Sequence, residues 1–178
     1  MIIIFDTETT GLTLHPAAEL RKQPHIIEVG AVLMSQETGE VTEELSFLVH
    51  PGVQIDPIIT KITGITNEQL ALEPSFAAHL PMLREFFGKA NVMAAHNLPF
   101  DRALMEFELK RINVTDFRWP HKGVCTVGMY KDEFGHNPSL KVLYAAIIGK
   151  PLEQKHRALD DVMAMAEIIQ KEKLWQIM

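Results

Sequence analysis

The chain opens with MIIIFDTETTGL, residues 1–12, where four apolar residues run straight into Asp6, Thr7 and Glu8. The run Ile2-Ile3-Ile4-Phe5 reads as a strand in the middle of a sheet, because it is apolar on both faces. Side chains two apart on a strand share a face, so Asp6 and Glu8 point the same way at its end. Carboxylates withdrawn from water need partners. Two readings fit this segment: a pair of surface carboxylates at a strand end, or a metal site.

The rest of the chain supplies a frame for that strand. Ile26 opens IIEVGAVLMS, rich in β-branched residues, with Glu28 inside it and read as structurally paired. ETGEV (37–41) supplies a glycine-containing turn and VTEELSFLVHP follows as a third strand, so the two pair antiparallel. Between the first two strands, Leu14 to Pro24 contains two prolines and reads as a surface loop. VQIDPIITKITGITNEQL (53–70) is expected to be a loop that Thr66 caps into a short helix. Ser75 to Phe87 carries Phe76, Leu80, Leu83 and Phe87 at a helical period, with Ser75 as cap and Gly88 as stop. ANVMAAHN is a fourth strand, and Phe100, Leu104 and Phe107 mark one side of a helix starting near Pro99. Helical pieces are expected near Thr126–Phe134 and Pro138–Ile148, and a last helix from about Arg157 to Lys173. Strand hairpins followed by alternating helices and strands indicate one α/β domain over residues 1–178 with a mixed sheet.

Bulk properties narrow the function. A chain of 178 residues, 47% apolar and 22% charged, has the composition of a soluble globular domain. No apolar run is long enough to span a bilayer, and Ile2–Phe5 is too short for a signal-peptide core, so the expected location is cytoplasmic. The lone Cys125 has no disulfide or thiolate-cage partner and is expected to be a buried structural thiol. A net charge of −6 argues against tight, sequence-independent coating of duplex nucleic acid. It leaves room for a nucleic-acid enzyme whose positive charge comes from bound metal.

Two further segments carry candidate chemistry. In HNLPFD (96–101), Asp101 falls in the first turn of a helix, where it either favours the helix dipole or joins a site. In HRALDD (156–161), five helical residues turn about 500°, so His156 meets Asp161 only if it lies in the preceding loop. Asp161, flanked by Val162 and Ala158, points inward more readily than Asp160; the alternative is a solvated helix start. Together the segments offer four carboxylates and a histidine near sheet ends. Four clustered carboxylates repel one another without counter-ions. Two hard divalent cations about 4 Å apart resolve that repulsion and can clamp a phosphoryl displacement. A histidine near neutral pH suits removal of a proton from the attacking water.

FDTETTGL, HNLPFD and HRALDD, in this order, resemble the three motifs of the DEDDh 3′–5′ exonucleases, the DnaQ-like group that includes the proofreading epsilon subunit of bacterial DNA polymerase III. The likeness covers nearly the whole chain, including IIEVGAV, TGIT (63–66) and PSLKVLYAAIIG. It implies a ribonuclease H-like α/β fold, a central mixed five-stranded sheet flanked by helices, and release of 5′-mononucleotides from a 3′ end. By position, it implies that Asp6, Glu8, Asp101 and Asp161 hold two divalent ions, Mg²⁺ or Mn²⁺, and that His156 is the general base. Thr9, Gly11 and Leu12 would lie against the terminal nucleotide, with Asn97 supporting them. The implied partners are single-stranded DNA or RNA 3′ ends, in repair or proofreading, with no membrane. A polymerase partner is left open, and nothing after the last helix resembles a polymerase-binding tail. An oligoribonuclease-type RNA enzyme and a non-catalytic binding module of the same fold are the alternatives; the second is expected to lack at least one of the five residues, all of which are present. The loop from Leu14 to His25 is longer than the usual connection, and Thr63 stands where proofreading subunits commonly have histidine. Of the other histidines, His96 lies closest to a motif and is expected to pack rather than react.

Overall fold

A computed structural model describes residues 1–15, 17–153 and 156–178. Pro16, the first proline of the loop noted above, lies outside the described residues. Strand β1 (Ile2–Thr9) pairs antiparallel with β2 (Ile26–Met34), which pairs antiparallel with β3 (Val41–Leu48). Helices α1 (Pro57–Thr63), α2 (Asn67–Leu70) and α3 (Phe76–Gly88) follow. Strand β4 (Val92–Ala95) returns parallel to β1, and α4 (Leu98–Arg111) leads to β5 (Lys122–Cys125), parallel to β4. Helices α5 (Thr126–Phe134), α6 (Leu140–Ile148) and α7 (Ala158–Lys171) follow, and short 3₁₀ turns stand at Leu20–Lys22 and Leu174–Gln176. The sheet order is β3-β2-β1-β4-β5, a mixed five-stranded sheet with β1 at its centre.

The alternation of β1 divides the core. Ile3 and Phe5 point into the layer of α3 and α4, against Leu83, Phe87, Leu104 and Met105. Ile2 and Ile4 point into the opposite layer of α6 and α7, against Leu143, Tyr144, Val162 and Met165. Ile2 through Phe5 are wholly buried. By the same alternation Asp6 and Glu8 continue the α7 face, whereas Thr7 continues the α4 face. One strand therefore serves both helix layers with the residues of one motif.

Several local expectations change. Residues 57–63, expected as loop, form α1, because Pro57 occupies the first helical turn, where a missing N–H breaks nothing. The Asp56 carboxylate accepts from the Ile58 N–H at 2.9 Å, and Gly64 closes the helix in the left-handed region at φ 72°. Thr66 does cap α2, in a reciprocal capping box with Gln69. Ser75 stands at the cap position of α3 without a side-chain cap bond, and Gly88 is the last residue inside that helix. Cys125 is half-buried rather than buried, its thiol donating to the His96 carbonyl at 3.5 Å. Among the described residues, no helix is long and apolar enough to cross a membrane.

Candidate active site

The site lies beyond the carboxyl ends of β1 and β4, where β1 has antiparallel β2 on one side and parallel β4 on the other. Open α/β sheets commonly bind ligands at such a switch of strand direction. Pairing of β4 with β1 covers only Ile2–Ile4. Past it, the Thr7 N–H donates to Asp101 Oδ1 at 3.0 Å, and the Thr7 hydroxyl donates to the same oxygen at 2.9 Å. Asp101, in the first turn of α4, is thereby held at the strand edge that β4 leaves open. This pair of hydrogen bonds from Thr7 has no local signal in the sequence beyond the odd position of Thr7 in the strand, which points it toward α4.

The other wall is the start of α7, docked onto β2 by two residues. Glu28, opposite Glu8 in the β1–β2 ladder, is buried and accepts from Arg157 Nε at 3.0 Å and Nη2 at 2.6 Å. Its second oxygen accepts from the Ala158 N–H at 3.0 Å, satisfying a free donor of the first helical turn. The pairing expected of Glu28 is thus with the third motif. Gly30 lies opposite Asp6, and a Cβ there would stand 2.4 Å from both the Ala158 carbonyl carbon and the Leu159 nitrogen. Only a residue without a side chain lets the α7 backbone cross β2 so closely. An isolated glycine in an apolar strand is the available sequence signal of such an approach.

With α7 docked in this way, Asp161 is buried and Asp160 exposed, as their flanking residues indicated. His156 precedes the helix with a left-handed backbone, φ 50°. Glu8, His156 and Asp161 each offer a donor atom within 4.8 Å of the others. His96 stays out of this group: its Nδ1 pairs with Thr126 Oγ1 at 2.8 Å and its Nε2 with the Pro138 carbonyl at 3.0 Å. Beside the carboxylates, the Thr9 hydroxyl donates to the Gly11 carbonyl at 2.7 Å, forming a tight turn that leaves Leu12 81% exposed. Asn97 stands at the entry to α4 and lines a cleft along that helix.

Electrostatics ties the carboxylates together. Desolvation, then repulsion from Asp101, Glu8, Asp161 and Glu28, holds the Asp6 carboxyl well above its usual range. Desolvation and repulsion from Asp161, Glu28 and Asp101 push Glu8 up to about 8, with Arg157 opposing. Burial raises Asp101 to about 7 even though both Thr7 donors favour its charged form. Arg157 is committed to Glu28. The remaining donors, carboxylate oxygens with one imidazole, form a set suited to hard divalent cations.

A pH dependence follows. The unfolded carboxyls titrate near 4. Between about pH 4 and 8 these carboxyls therefore hold more protons in the folded, metal-free chain than in the unfolded one, and their contribution to stability falls as pH rises. A divalent cation held by these carboxylates would displace those protons, so a stabilising effect that grows with pH is the expected signature of such binding. Thermal denaturation in chelator is expected to show a melting temperature that declines from pH 5 to 8.5, with Mn²⁺ raising it more at pH 8 than at pH 5. A flat or rising profile in chelator would contradict these electrostatics.

A family model described as exonuclease (RNase_T) matches residues 3–169. The DNA polymerase III epsilon subunit of Aquifex aeolicus is 32% identical over 97% of this chain and 81% of that protein. A PolC-type DNA polymerase III of Clostridium perfringens is 33% identical over 94% of this chain, which spans 11% of that polymerase. A bifunctional exonuclease/endonuclease protein of Mycobacterium tuberculosis, named as putative, is 32% identical, and the chain spans 25% of it. Among solved structures, the nuclease domain of 3′hExo, a DEDDh family member bound to rAMP, superposes with a TM-score of 0.72 at 18% identity, covering 97% of this chain and 90% of that one. Exonuclease X in complex with 5′ overhanging duplex DNA gives 0.68 at 24% identity over 97% and 93%. The last two share the ribonuclease H-like fold with this chain. With the three motifs gathered at the carboxyl ends of β1 and β4, the chain belongs to the DEDDh, DnaQ-like 3′–5′ exonuclease family.

Proposed function

We propose that residues 1–178 form one exonuclease domain that hydrolyses single-stranded DNA from its 3′ end and releases 5′-mononucleotides, with RNA as a second substrate. The observation that supports it most is the convergence of Asp6, Glu8, Asp101 and Asp161 with His156 at the end of β1, charges that repel one another in the bare protein. In this reading the four carboxylates would hold two divalent ions, Mg²⁺ or Mn²⁺, which when bound would supply positive charge for the attacking water and the leaving oxygen. His156 accepts a proton from the attacking water at its ring nitrogen. The water oxygen forms a bond to the phosphorus of the terminal nucleotide, the P–O3′ bond to the preceding nucleotide breaks, and O3′ is protonated from solvent. Thr7 fixes Asp101, while Glu28 and Arg157 fix the backbone that carries His156. Thr9, Gly11 and Leu12 seat the terminal nucleotide, with Asn97 beside them. A cytoplasmic role in proofreading or repair, alone or beside a polymerase, fits this chemistry and the epsilon relatives.

The test uses 3′- and 5′-labelled DNA and RNA oligonucleotides with Mg²⁺ or Mn²⁺ and again with chelator. Stepwise metal-dependent loss of the 3′ label as mononucleotide supports the reading, and its RNA arm ranks the substrates. No cleavage in any arm overturns it and favours a binding module. His156→Ala is expected to lower kcat by about 10²–10⁴-fold while leaving Mn²⁺ affinity within a few-fold. Unchanged turnover would remove the base role from His156.

A further inference from the structure

His96 follows the last residue of β4 and precedes the turn that opens α4, and both nitrogens of its ring are engaged. Nδ1 lies 2.8 Å from the Thr126 hydroxyl and Nε2 3.0 Å from the Pro138 carbonyl, partners 30 and 42 positions away. A carbonyl only accepts, so Nε2 carries the proton and Nδ1 accepts from the Thr126 hydroxyl. Burial lowers the pKa of the ring against the opposing pull of the Pro138 carbonyl, so the imidazole is neutral at pH 7 and keeps this tautomer. Thr126 is wholly buried at the start of α5. The main chain adds a third link, the His96 carbonyl accepting from the Val127 N–H at 3.0 Å. A ring that only filled space would be better served by carbon, because each buried polar atom must find its own partner.

These links begin where the sheet stops. The β4–β5 ladder ends at the pair Ala95 and Cys125, and His96 and Thr126 continue it through their side chains. On one side of His96 lies the second motif: the Asn97 carbonyl accepts from the Phe100 N–H at 2.9 Å and the Asp101 N–H at 3.3 Å, so the turn carrying Asp101 is built on the residue next to His96. On the other side, Pro138 leads through the cap residue Ser139 into α6. Leu140, Leu143 and Tyr144 of α6 pack with Val162 and Met165 of α7, the helix that carries Asp161 and that His156 precedes. Asp101 thus belongs to one helix layer and Asp161 to the other, and His96 is a strut between the two.

We propose that His96 is a positioning residue for the hydrolysis, its two ring hydrogen bonds setting the separation of Asp101 from Asp161 and His156. It acts only through the turn it holds. The inference rests on the exonuclease reading above, which brings those three residues to one phosphate. A ring without nitrogens leaves the Thr126 hydroxyl and the Pro138 carbonyl unpaired and frees the turn to shift. A shift of about 1 Å lowers a rate by about a hundredfold.

Three variants separate positioning from packing. His96→Phe keeps a ring and removes both bonds, His96→Gln restores a donor and an acceptor on a flexible chain, and Thr126→Val removes one bond with little change of shape. Steady-state hydrolysis of 3′-labelled (dT)₆ in Mn²⁺ is measured beside calorimetric titration with Mn²⁺ and melting in chelator. His96→Phe is expected to lower kcat by about 10- to 100-fold, with KM within about threefold and Mn²⁺ bound several-fold more weakly. His96→Gln should recover about half of that loss on a logarithmic scale, and Thr126→Val should lose about three- to tenfold in kcat. Thr126→Val carries the test if His96→Phe does not fold. A folded His96→Phe with wild-type kcat, a change carried by KM instead, or a loss that His96→Gln does not recover would overturn the role. Wild type that cleaves nothing overturns the exonuclease reading by itself. The Mn²⁺ titration then decides for His96: weaker binding in His96→Phe upholds the strut, and equal binding removes it.

Discussion

Asp6→Asn is expected to reduce turnover by about a thousandfold or more and, at the same time, to raise the melting temperature of the metal-free protein above neutral pH. The two effects have one cause. Asp6 is desolvated and faces Asp101, Glu8, Asp161 and Glu28, so its charge is unfavourable in the folded chain unless a cation lies beside it. Asparagine keeps the shape and removes the charge, so the repulsion goes and so does the metal ligand proposed above. Each kcal/mol of repulsion relieved should appear as about 2–4 °C in melting temperature for a chain of this size. The measurement is a melting curve in chelator at pH 8 beside a steady-state rate in Mn²⁺. A variant that retains near-normal activity would show that the metals have been assigned to the wrong residues. One that loses activity and stability together would place Asp6 in a structural role.

Gly30→Ala is the second large effect, and it acts without touching any carboxylate. The new Cβ would lie 2.4 Å from backbone atoms of Ala158 and Leu159, which cannot rotate aside as a side chain tip can. The start of α7 must lift from β2, and with it move the Ala158 N–H on Glu28, His156 and Asp161. Overpacking of this kind destabilises by about 1–3 kcal/mol. A displacement of about 1 Å at the site lowers the rate about a hundredfold. The expected result is a lower melting temperature with a folded chain and a kcat reduced far beyond any loss in substrate affinity. Wild-type turnover in Gly30→Ala would mean that α7 does not position the site.

Why the motifs were legible and their supports were not has a physical basis. Period-two alternation places Asp6 and Glu8 on one face of a central strand from twelve residues of sequence, because a strand that is apolar on both faces leaves little choice of position. The place of Asp101 in the first turn of α4 and the inward turn of Asp161 likewise depend on local spacing. The pairs that hold those residues in place link distant parts of the chain. Thr7 meets Asp101 across 94 positions, Arg157 meets Glu28 across 129, and Arg111 reaches the Leu20 carbonyl across 91. No local pattern announces which arginine will close on which carbonyl. Gly30 is the intermediate case: glycine within IIEVGAV signals a close approach but not the element that approaches.

The elements that went unread fail for local reasons. Helix α1 reads as a loop from sequence because Pro57 is a breaker away from a helix start and a favourable residue within one; Asp56 at the cap and Gly64 at the end decide between the two. Strand β5 is only four residues, with a glycine, and its apolar content is Val124 and Cys125. It exists because β4 offers it a parallel ladder from Val92 to Ala95. The alternation of its own side chains is too short to carry a signal.

In the proposed reading divalent cations are the partners of the clustered carboxylates, of which Asp101 and Asp161 are buried and Asp6 and Glu8 half-buried. Mn²⁺ binding followed by electron paramagnetic resonance, with thymidine 5′-monophosphate present, tests it most directly. Two ions per chain in the wild type, tighter at pH 8 than at pH 6, and loss of this specific binding in Asp6→Asn are the predicted result. Absence of specific Mn²⁺ binding in the wild type, or binding that is the same in Asp6→Asn, would contradict it.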